Sequence, residues 1–382
     1  MLHHALTPSR IVIAETASEK EAIYRLRYEV YIDEMGGGTR HDEADASTRQ
    51  LRDELDDTAY HFYAVQDEQV VACARLNMRK DGPLECEPEL EMDRFAPAYP
   101  AHVSMSSRMV IHPTLRGSHV LMELACAMYR FKRDQEIRFD FIDCHPRLLP
   151  LYSRLGYRIY KPGFTHPKYV YVVPMVLVTD DLAYLEQVRS PYIRHAKHRP
   201  HSTAGRALLS TQFPESARTF LHPDVDADAF WTLMRTRLLE DNATVERSEL
   251  LAGLTEREAQ AFLRLGHVIG CRADDVVLSS GDQGRELFVI LNGSFVVLAR
   301  EPQTHSPSVV KILVPGDVFG EVGFLTEGLR GGRVTAMEEA KILVLNARAI
   351  DRLTKTAPGI AAKVFRNLAR IVAIHLRDTV GF

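Results

Sequence analysis

The sequence lacks the cysteine spacing of disulfide-stabilised and zinc-binding proteins. Its five cysteines are scattered, odd in number and never arranged as Cys-x-x-Cys: Cys73, Cys86, Cys126, Cys144 and Cys271. Disulfide frameworks and structural zinc sites need paired or regularly spaced cysteines. We therefore expect no metal site, and a reducing compartment such as the cytoplasm.

Long apolar runs are also missing. The longest extends from Tyr169 to Val178, about half of the roughly 20 residues that a membrane helix needs. It contains Pro174 and is rich in valine, which favours a strand. The N-terminal residues MLHHALTPSR lack the apolar core of a signal peptide. These absences predict a soluble, cytoplasmic protein with no transmembrane segment.

An excess of positive charge is absent as well. Lys and Arg together number 47 against 51 Asp and Glu, for a net charge of -4. Such a chain has no overall field that attracts nucleic acid, so we expect no nucleic-acid partner. Lysine supplies only 10 of the 47 cationic residues, and arginine supplies the rest. Arginine grips carboxylates and phosphates through two parallel hydrogen bonds, so this bias suits anionic ligands as well as surface ion pairs.

Apolar periodicity divides the chain into three regions. Residues 10–180 alternate strands and helices, which predicts an α/β domain with a mixed sheet flanked by helices. Its first helix is predicted over 19–35, ending at Gly36–Gly38. Residues 181–243 read as a helical connector, in which the basic, His-rich segment 194–206 resembles an exposed linker.

The C-terminal region, residues 244–382, consists of short alternating runs separated by turns. This pattern is typical of a small antiparallel β-roll. Asn292-Gly293 between two apolar runs is the strongest hairpin signal. The region ends in an amphipathic helix predicted over 359–379.

The segment MVIHPTLRGSHVLMELACAMYRF predicts a strand, a short loop and a helix. Arg116, Gly117 and Ser118 precede the helix, whose free N–H groups would hold a phosphate. With the later LYSRLGY, the segment resembles the centre of the GNAT acyltransferase fold. The resemblance implies that Arg116, Gly117 and Ser118 bind the phosphates of CoA or phosphopantetheine. It also implies that Tyr152 protonates the departing thiolate.

The upstream segments resemble acyl-homoserine lactone synthases and the related N-acyl amino acid synthases. Those enzymes move an acyl chain from acyl carrier protein to a small amine. The matching positions are Arg27, Tyr31, Asp53, Asp56, Arg75 and Ser107-Arg108. The resemblance implies that Arg27, Arg75 or Arg108, with Tyr31, bind the acceptor and its carboxylate. Asp53 or Asp56 would position its ammonium. The same residues could instead form structural Arg–Asp bridges that brace an N-terminal flap.

Three departures from the family pattern bear on the reaction. Met105 stands where a glutamate is usual, so the proton acceptor is unassigned, and His145 after the strand FDFIDC is a candidate base. His119 replaces a second glycine in the phosphate loop. Gly36–Gly38 replace the Trp expected after the first helix of lactone synthases. This favours N-acylation of an amino acid over lactone formation.

Chemistry in the C-terminal region is concentrated in VPGDVFGEVGFL and the Arg330 that follows. A Gly-rich turn that enters a short helix presents N–H groups to an anion, and an arginine nearby supplies a fork for phosphate. This order of a Gly-rich turn, a short helix and an arginine resembles that of the cyclic-nucleotide-binding domain. The resemblance implies that Glu321 binds the ribose hydroxyl and Arg330 the cyclic phosphate. Gly320, Val322 and Gly331 would line the site, with cAMP favoured over cGMP and the terminal helix as a lid.

Together these resemblances imply an N-acyltransferase that a cyclic nucleotide regulates. Because few residues follow the terminal helix, we expect the regulated output on the N-terminal side rather than in a helix-turn-helix. The scheme includes a homodimer through that helix. The alternatives are a cyclic-nucleotide-regulated protein-lysine acetyltransferase and a non-enzymatic binding protein whose two sites have decayed.

Overall fold

A computed structural model describes residues 9–35, 41–96, 98–239, 248–300 and 307–380. Two predicted boundaries lie outside these residues: the helix end at Gly36–Gly38 and the junction of connector and C-terminal domain at 243/244. The chain divides into two compact units. With the gaps just given, the first comprises 1–143, 154–158 and 175–212, and the second comprises 144–153, 159–174 and 213–382.

Up to residue 212 the chain alternates strands and short helices. The strands are β1 Arg10–Ile13, β2 Ala44–Asp45, β3 Gln50–Leu51, β4 Tyr60–Gln66, β5 Gln69–Met78, β6 Val103–Ile111, β7 Phe139–Cys144, β8 Arg158–Ile159, β9 Phe164–Thr165 and β10 Tyr171–Val178. The helices are α1 Ala17–Tyr28, α2 Val120–Asp134, α3 Leu149–Leu155, α4 Leu182–Gln187, α5 Ile193–Ala196 and α6 Ala204–Gln212.

Among the described residues, eight of these strands form one mixed sheet in the order β1-β4-β5-β6-β7-β10-β8, with β9 beside β10, whereas β2 and β3 form a separate two-stranded sheet. The pairs from β1 to β6 are antiparallel, whereas β6 and β7 run parallel. Parallel neighbours need a crossover connection, and α2 supplies it. That helix buries Leu124 and Met128 in one apolar cluster with Phe62 and Ala74 of the sheet. The predicted mixed sheet with flanking helices is confirmed.

The first helix differs from the single amphipathic helix predicted over 19–35. Its α-helical part is α1, which begins with a capping box at Thr16, and Glu29–Glu34 follow as a π-helical turn. The Met35 N–H donates to the Val30 carbonyl, five residues back, at 3.0 Å. The wider turn changes the face that later side chains present, which apolar periodicity does not reveal.

Residues 194–206 are largely exposed, as their basic composition suggests, but they are not an irregular linker throughout. Helix α5 and the beginning of α6 lie in this segment, and Ala196 and Gly205 are buried. A Cβ added at Gly205 would lie 2.5 Å from Val178 Cγ1. This glycine therefore permits close approach of α6 to β10 rather than breaking the chain.

From residue 213 onwards a β-roll is surrounded by helices. The helices are α7 Ser216–Thr219, α8 Ala227–Leu238, α9 Glu256–Leu263, α10 Glu321–Thr326, α11 Ala347–Thr356 and α12 Pro358–Val380. The strands are β11 Gly266–Cys271, β12 Val276–Leu278, β13 Glu286–Asn292, β14 Phe295–Arg300, β15 Pro307–Leu313, β16 Val318–Phe319, β17 Arg333–Ala336 and β18 Ala340–Asn346.

Two antiparallel sheets make up the roll, with orders β11-β18-β13-β16 and β12-β17-β14-β15. Helix α12 buries Val364, Leu368 and Ile371 in the same core as Leu287 and Leu343 of the first sheet. The predicted antiparallel roll with a C-terminal helix is confirmed. Among the described helices, none has both the length and the apolar composition needed to cross a membrane.

The hairpin predicted at Asn292-Gly293 is wrong. The chain does turn there, with Gly293 at φ +80°, but β13 and β14 belong to different sheets. A Cβ at Gly293 would lie 2.7 Å from Ala340 Cβ. The turn therefore carries the chain from one sheet to the other at a point of close packing, and short-range sequence cannot distinguish the two outcomes.

Candidate functional sites

Three arginines that the sequence singles out lie together with acidic side chains inside the first unit. Arg27 of α1 bonds through Nη1 to Asp56 Oδ1 at 2.8 Å, and its Nη2 lies 3.2 Å from His61 Nδ1. His61 Nε2 is 3.1 Å from the Asp56 carbonyl oxygen, so this nitrogen carries the proton and Nδ1 accepts from Arg27. Burial, together with Arg27, lowers the pKa of His61 to about 4, so the ring is neutral at pH 7.

Arg75 enters the same cluster from β5. Its Nε donates to Ser107 Oγ at 2.9 Å, in keeping with the register that places the two residues opposite each other. Its Nη1 pairs with Asp53 and, at 3.3 Å, with Asp56, while Nη2 lies 3.3 Å from Glu85 Oε2. Burial opposes ionisation of Asp56, but the neighbouring arginines outweigh it and lower the pKa of this carboxyl.

Arg108 reaches the cluster from an irregular position of β6. The register between β5 and β6 shifts beside it, and its φ is +52°. Such a bulge re-aims a side chain. Arg108 Nη2 lies 2.8 Å from both Asp53 Oδ2 and Glu43 Oε1, and its guanidinium lies 5.6 Å from the centre of the Tyr31 ring. The predicted Tyr31, Asp53 and Arg108 are therefore brought together.

Exposure separates the members of this cluster. The side chains of Arg27 and Arg75 are 1% and 0% exposed, whereas those of Glu43, Asp53 and Glu85 keep 17%, 13% and 16%. A ligand therefore reaches the three carboxylates before it reaches the two enclosed arginines.

Strands β6 and β7 are paired at one end only. Their parallel register joins residues 103–105 to residues 139–141. Both strands continue further, β6 to Ile111 and β7 to Cys144. No β6–β7 pair beyond these occurs in the described part of the chain, so backbone groups of both strands are placed to bond a ligand between them.

A buried polar cluster that sequence reasoning missed lies at the paired end. Lys132 Nζ of α2 lies 2.6 Å from Asp140 Oδ2 of β7 and 3.0 Å from Ser106 Oγ of β6. The Tyr157 hydroxyl and Ser104 Oγ both donate to Asp140, the latter at 2.6 Å. Burial lowers the pKa of Lys132 against the attraction of Asp140. The cluster ties α2 to both strands.

The predicted phosphate loop precedes α2. Gly117 has φ +85°, and a Cβ added there would meet nothing within 4 Å, so its role is conformational. Ser118 Oγ accepts from the N–H of Val120, the first residue of α2, at 3.4 Å. Arg116 forms two parallel bonds to Glu34, at 2.5 and 2.6 Å. The fork that a phosphate would need is therefore held by a carboxylate.

Tyr152 and His145 belong to the second unit, whereas the arginine–acid cluster belongs to the first. Tyr152 lies in α3 and is partly exposed. His145 Nδ1 accepts from the Arg147 N–H at 3.2 Å and caps the short 3-10 turn Pro146–Leu148. Burial lowers the pKa of His145 to about 4. The structure thus gives His145 a local capping role, and its service as a base stays a prediction.

In the second unit, Arg330 lies at the centre of the predicted phosphate site. Its Nη2 pairs with Glu286 Oε2 at 2.8 Å, and its Nη1 donates to the Gly320 carbonyl at 2.8 Å. Its Nε is buried and has no hydrogen-bond partner among the described residues. A buried guanidinium N–H without an acceptor is unfavourable unless a ligand supplies one.

Glycines make room for this guanidinium. Gly320 has φ +80° and precedes α10. A Cβ there would lie 2.8 Å from the Glu286 carbonyl oxygen and 2.9 Å from Arg330 Nη1. A Cβ at Gly323 would lie 3.0 Å from the same nitrogen. These two positions exclude side chains, whereas a Cβ at Gly331 would meet nothing within 4 Å.

Glu321 is buried at the beginning of α10 and faces the terminal helix. Its Oε1 lies 3.1 Å from His375 Nδ1 of α12. Because a carboxylate only accepts, the histidine donates. The adjacent Val322 is 48% exposed, and its carbonyl accepts from Thr326 Oγ1 at 2.8 Å. The acid predicted to hold a ribose is therefore occupied by a residue of the predicted lid.

Comparison with known families assigns both regions. Residues 22–181 match the family described as N-acyl amino acid synthase FeeM, and residues 269–357 match the family described as cyclic nucleotide-binding domain. The chain joins an N-acyl amino acid synthase domain to a cyclic nucleotide-binding domain. Both resemblances drawn from the motifs are thereby confirmed, and the family matched by residues 22–181 is one of acyltransferases.

Curated relatives share only part of the chain. The cAMP-dependent protein kinase regulatory subunit of Dictyostelium discoideum is 28% identical over 124 residues, 32% of this chain and 37% of that protein. The cyclic AMP receptor protein of Thermus thermophilus is 30% identical over 102 residues, 27% of this chain and 45% of that protein. The chain thus spans less than half the length of either relative. A solved cyclic nucleotide-binding domain from Methylobacillus flagellatus covers 42% of this chain and 85% of its own, at 18% identity and a TM-score of 0.34.

Several polar residues of the two domains escaped sequence reasoning. In the synthase domain, Asp140 and Asp143 interrupt the apolar strand FDFIDC, and Lys132 follows Leu124 and Met128 at helical spacing on the buried face of α2. Charged residues at apolar positions are the signal that could have found these three. Glu43, Glu85, Glu286 and His375 carry no comparable local signal, because their partners are distant in sequence.

Proposed function

We propose that this protein is an N-acyltransferase that moves an acyl chain from acyl carrier protein or CoA to the amine of an amino acid or similar small acceptor, and that a cyclic nucleotide regulates it. The observation that carries the proposal is the arginine–acid cluster on β5 and β6 within a domain of the N-acyl amino acid synthase family. A cluster with both signs of charge suits an acceptor that carries an ammonium and a carboxylate.

Exposure distributes the roles within this cluster. Glu43, Asp53 and Glu85 are reachable and would hold the acceptor ammonium. Arg108 is itself only 3% exposed, but it bonds to the reachable Glu43 and Asp53 and lies beside Tyr31, so it would bind the acceptor carboxylate. The enclosed Arg27 and Arg75 would fix the acids in place with Asp56, so the bracing role foreseen for Arg–Asp bridges and a substrate-binding role coexist in one cluster.

The acyl donor would lie between the diverging parts of β6 and β7, where backbone groups can bond its pantetheine arm. Its phosphate would bind at Gly117, Ser118 and the beginning of α2, with Arg116 exchanging Glu34 for the phosphate. Tyr152 is the proposed donor of a proton to the departing thiolate. Amide formation at such a site depends on positioning and on donors for the developing oxyanion.

The test is acyl transfer by the purified protein from acyl carrier protein and from CoA thioesters of increasing length to a panel of amino acids. We expect transfer of longer acyl chains to an amino acid. Arg116→Ala should raise KM for the donor roughly 3- to 10-fold, since one partly exposed charged contact is lost. Arg25→Ala, which removes another exposed Arg–Glu pair of the same unit, should leave this KM unchanged.

Two outcomes would contradict this proposal. Transfer of acetyl groups to protein lysines in preference to amino acids would indicate a protein-lysine acetyltransferase. No acyl transfer together with unchanged donor binding in Arg116→Ala would indicate a binding protein with a decayed site.

The nucleotide-binding domain is proposed to bind cAMP, with cGMP as the second candidate. The unpartnered Nε of Arg330 and the glycines around its guanidinium support a phosphate site. Gly320, Val322 and Gly331 would line it, and Glu321 would bind the ribose. Since His375 already bonds to Glu321, the nucleotide would have to displace it from that carboxylate.

Calorimetry with cAMP and cGMP tests this second site. We expect heat with the wild type and none with Arg330→Ala. His375→Ala should bind nucleotide more tightly, roughly 3- to 10-fold, because Glu321 is freed from a competing hydrogen bond. Absence of heat with the wild-type protein would favour a decayed site, and weaker binding by His375→Ala would show that the histidine assists the nucleotide instead.

Support for regulation comes from contacts inside the second unit. Burial lowers the pKa of His145, and beyond that Glu286 raises this pKa whereas Arg330 lowers it. In addition, Asn346 Nδ2 donates to the Arg147 carbonyl at 2.8 Å. His145 and Arg147 lead into α3, which carries Tyr152. A phosphate that draws Arg330 away from Glu286 would therefore change the electrostatic field at the entrance to α3. A homodimer through α12, on which Leu376 is 63% exposed, stays a prediction.

A further inference from the structure

The last aspartate of β7 stands apart from the acids of the arginine cluster. Side chains alternate along a strand, so Phe139, Phe141 and Asp143 share one face, while Asp140 on the other face bonds to Lys132. Phe141 takes part in the last β6–β7 pair, opposite Met105. Asp143 lies two residues beyond that pair, where the two strands have separated.

The groups that surround Asp143 within the first unit come from three elements. Glu85 and Cys86 face it from the segment after β5, and a carboxylate oxygen of Asp143 lies within 4.8 Å of Cys86 Sγ. Arg75 of β5 and Arg108 of β6 act on it electrostatically. Asp143 therefore adjoins the cluster proposed to hold the acceptor, and it keeps partial exposure.

Asp143 differs from its neighbours in how readily it holds a proton. Burial, with the negative charge of Glu85 as the second cause, raises the pKa of Asp143 to about 7, although Arg108 and Arg75 oppose this. By contrast, the arginines around Asp56 keep the pKa of that carboxyl lowered. Two carboxylates whose environments separate their proton affinities suit different roles, and the weaker acid is the better proton acceptor near pH 7.

We propose that Asp143 is the general base of acyl transfer, a role that rests on the proposed reaction with an amine acceptor. The acceptor arrives as an ammonium, and the Asp143 carboxylate takes one of its protons. The neutral nitrogen then forms a C–N bond to the thioester carbonyl carbon. When the tetrahedral intermediate collapses, the C–S bond breaks, the proposed acid Tyr152 gives its hydroxyl proton to the thiolate sulfur, and the second nitrogen proton restores that hydroxyl. Asp143 returns its proton to solvent.

The test compares pH profiles of kcat/KM for acyl transfer to an amino acid. Because the deprotonated carboxylate is the active form, wild-type activity should fall as the pH drops below about 7. Asp143→Asn should lower kcat/KM at least about 10²-fold and lose this acid limb. A weakly basic nucleophile that is already neutral at pH 7, such as hydroxylamine, should restore much of the lost rate, which a merely structural role would not allow.

A second variant tests the same base without removing it. Glu85→Gln takes away a charge that disfavours ionisation of Asp143, while Arg75 keeps Asp53 and Asp56 as partners. The acid limb should move to lower pH. Asp180→Asn is the matched control, because Asp180 is also a carboxyl whose pKa burial raises, but it pairs with Arg138 outside the cluster. Its rate and pH profile should equal those of the wild type.

The outcomes separate this inference from the proposed function. If the wild type acylates no amine, the proposed function fails before any variant is compared. If the wild type is active and Asp143→Asn keeps its rate and profile, the function stands and Asp143 is not the base. If Asp143→Asn does not fold, the pH profile of Glu85→Gln tests the inference instead. An acid limb at the same pH as in the wild type would then show that Asp143 is not the base.

Discussion

At the scale of single residues, the most consequential pair outside the proposed active site is Lys132 with Asp140. Both are buried, and Nζ and Oδ2 are 2.6 Å apart. Lys132→Met would leave Asp140 charged and enclosed, since Ser104, Ser106 and Tyr157 only partly compensate it. Removing one partner of a buried pair typically costs about 3–5 kcal/mol. We expect a loss of this size in the free energy of unfolding, measured with urea.

The double variant provides the control for this pair. Lys132→Met with Asp140→Asn removes both charges, so it should be less destabilised than the sum of the two single variants. If the double variant instead lost as much stability as the two single variants combined, the pair would contribute no coupling and the lysine would matter only through packing.

Residue identity predicted five members of the arginine–acid cluster but not the two glutamates that complete it. Arg27, Asp53, Asp56, Arg75 and Arg108 were singled out by family motifs and lie together. Glu43 and Glu85 could not be foreseen, because their pairing depends on where loops return to the sheet. The backbone of Arg108 also escaped prediction, since an arginine at φ +52° has no sequence signature.

At the scale of elements, strongly patterned segments were predicted almost to the residue. The helix predicted after Ser118 is α2, Val120–Asp134, and the predicted strand FDFIDC is β7, Phe139–Cys144. Strand β11 has a weak strand pattern, because Gly266 and Gly270 interrupt it. A Cβ at Gly266 would lie 2.6 Å from Leu343 Cδ1, so packing against β18 explains that glycine.

Turn chemistry was predicted less well than helices and strands. Asp274 occupies a turn at φ +69°, the left-handed conformation that favours glycine, and its N–H donates to the Ala336 carbonyl at 2.9 Å. The turn at Asn292-Gly293 is present, yet it joins two sheets rather than two paired strands. Local sequence specifies that the chain turns, whereas long-range packing decides which strands then pair.

At the scale of the whole molecule, family boundaries and compact units do not coincide. The synthase match covers residues 22–181, but residues 144–153 and 159–174 belong to the unit that contains the nucleotide-binding roll. Inside that unit, the Gly163 N–H donates to the Gly270 carbonyl at 2.9 Å, and the Tyr171 hydroxyl donates to the same oxygen. Segments of the synthase sequence are thus structural parts of the unit that contains the nucleotide-binding roll, which no motif boundary predicts.

This arrangement makes Asn346 a test of the proposed regulation. Its Nδ2 bonds to the Arg147 carbonyl, while its Oδ1 accepts from the Arg348 N–H at 2.9 Å and caps α11. Asn346→Asp keeps the cap and replaces the donor by an acceptor. Because residue 346 lies opposite Glu286, the partner of Arg330, the rates are compared at saturating cAMP. The ratio of acyl-transfer rates with and without cAMP should move towards 1, by roughly 2- to 10-fold, because one hydrogen bond of the coupling path is lost. A ratio equal to that of the wild type would mean that the nucleotide acts on the synthase without this contact.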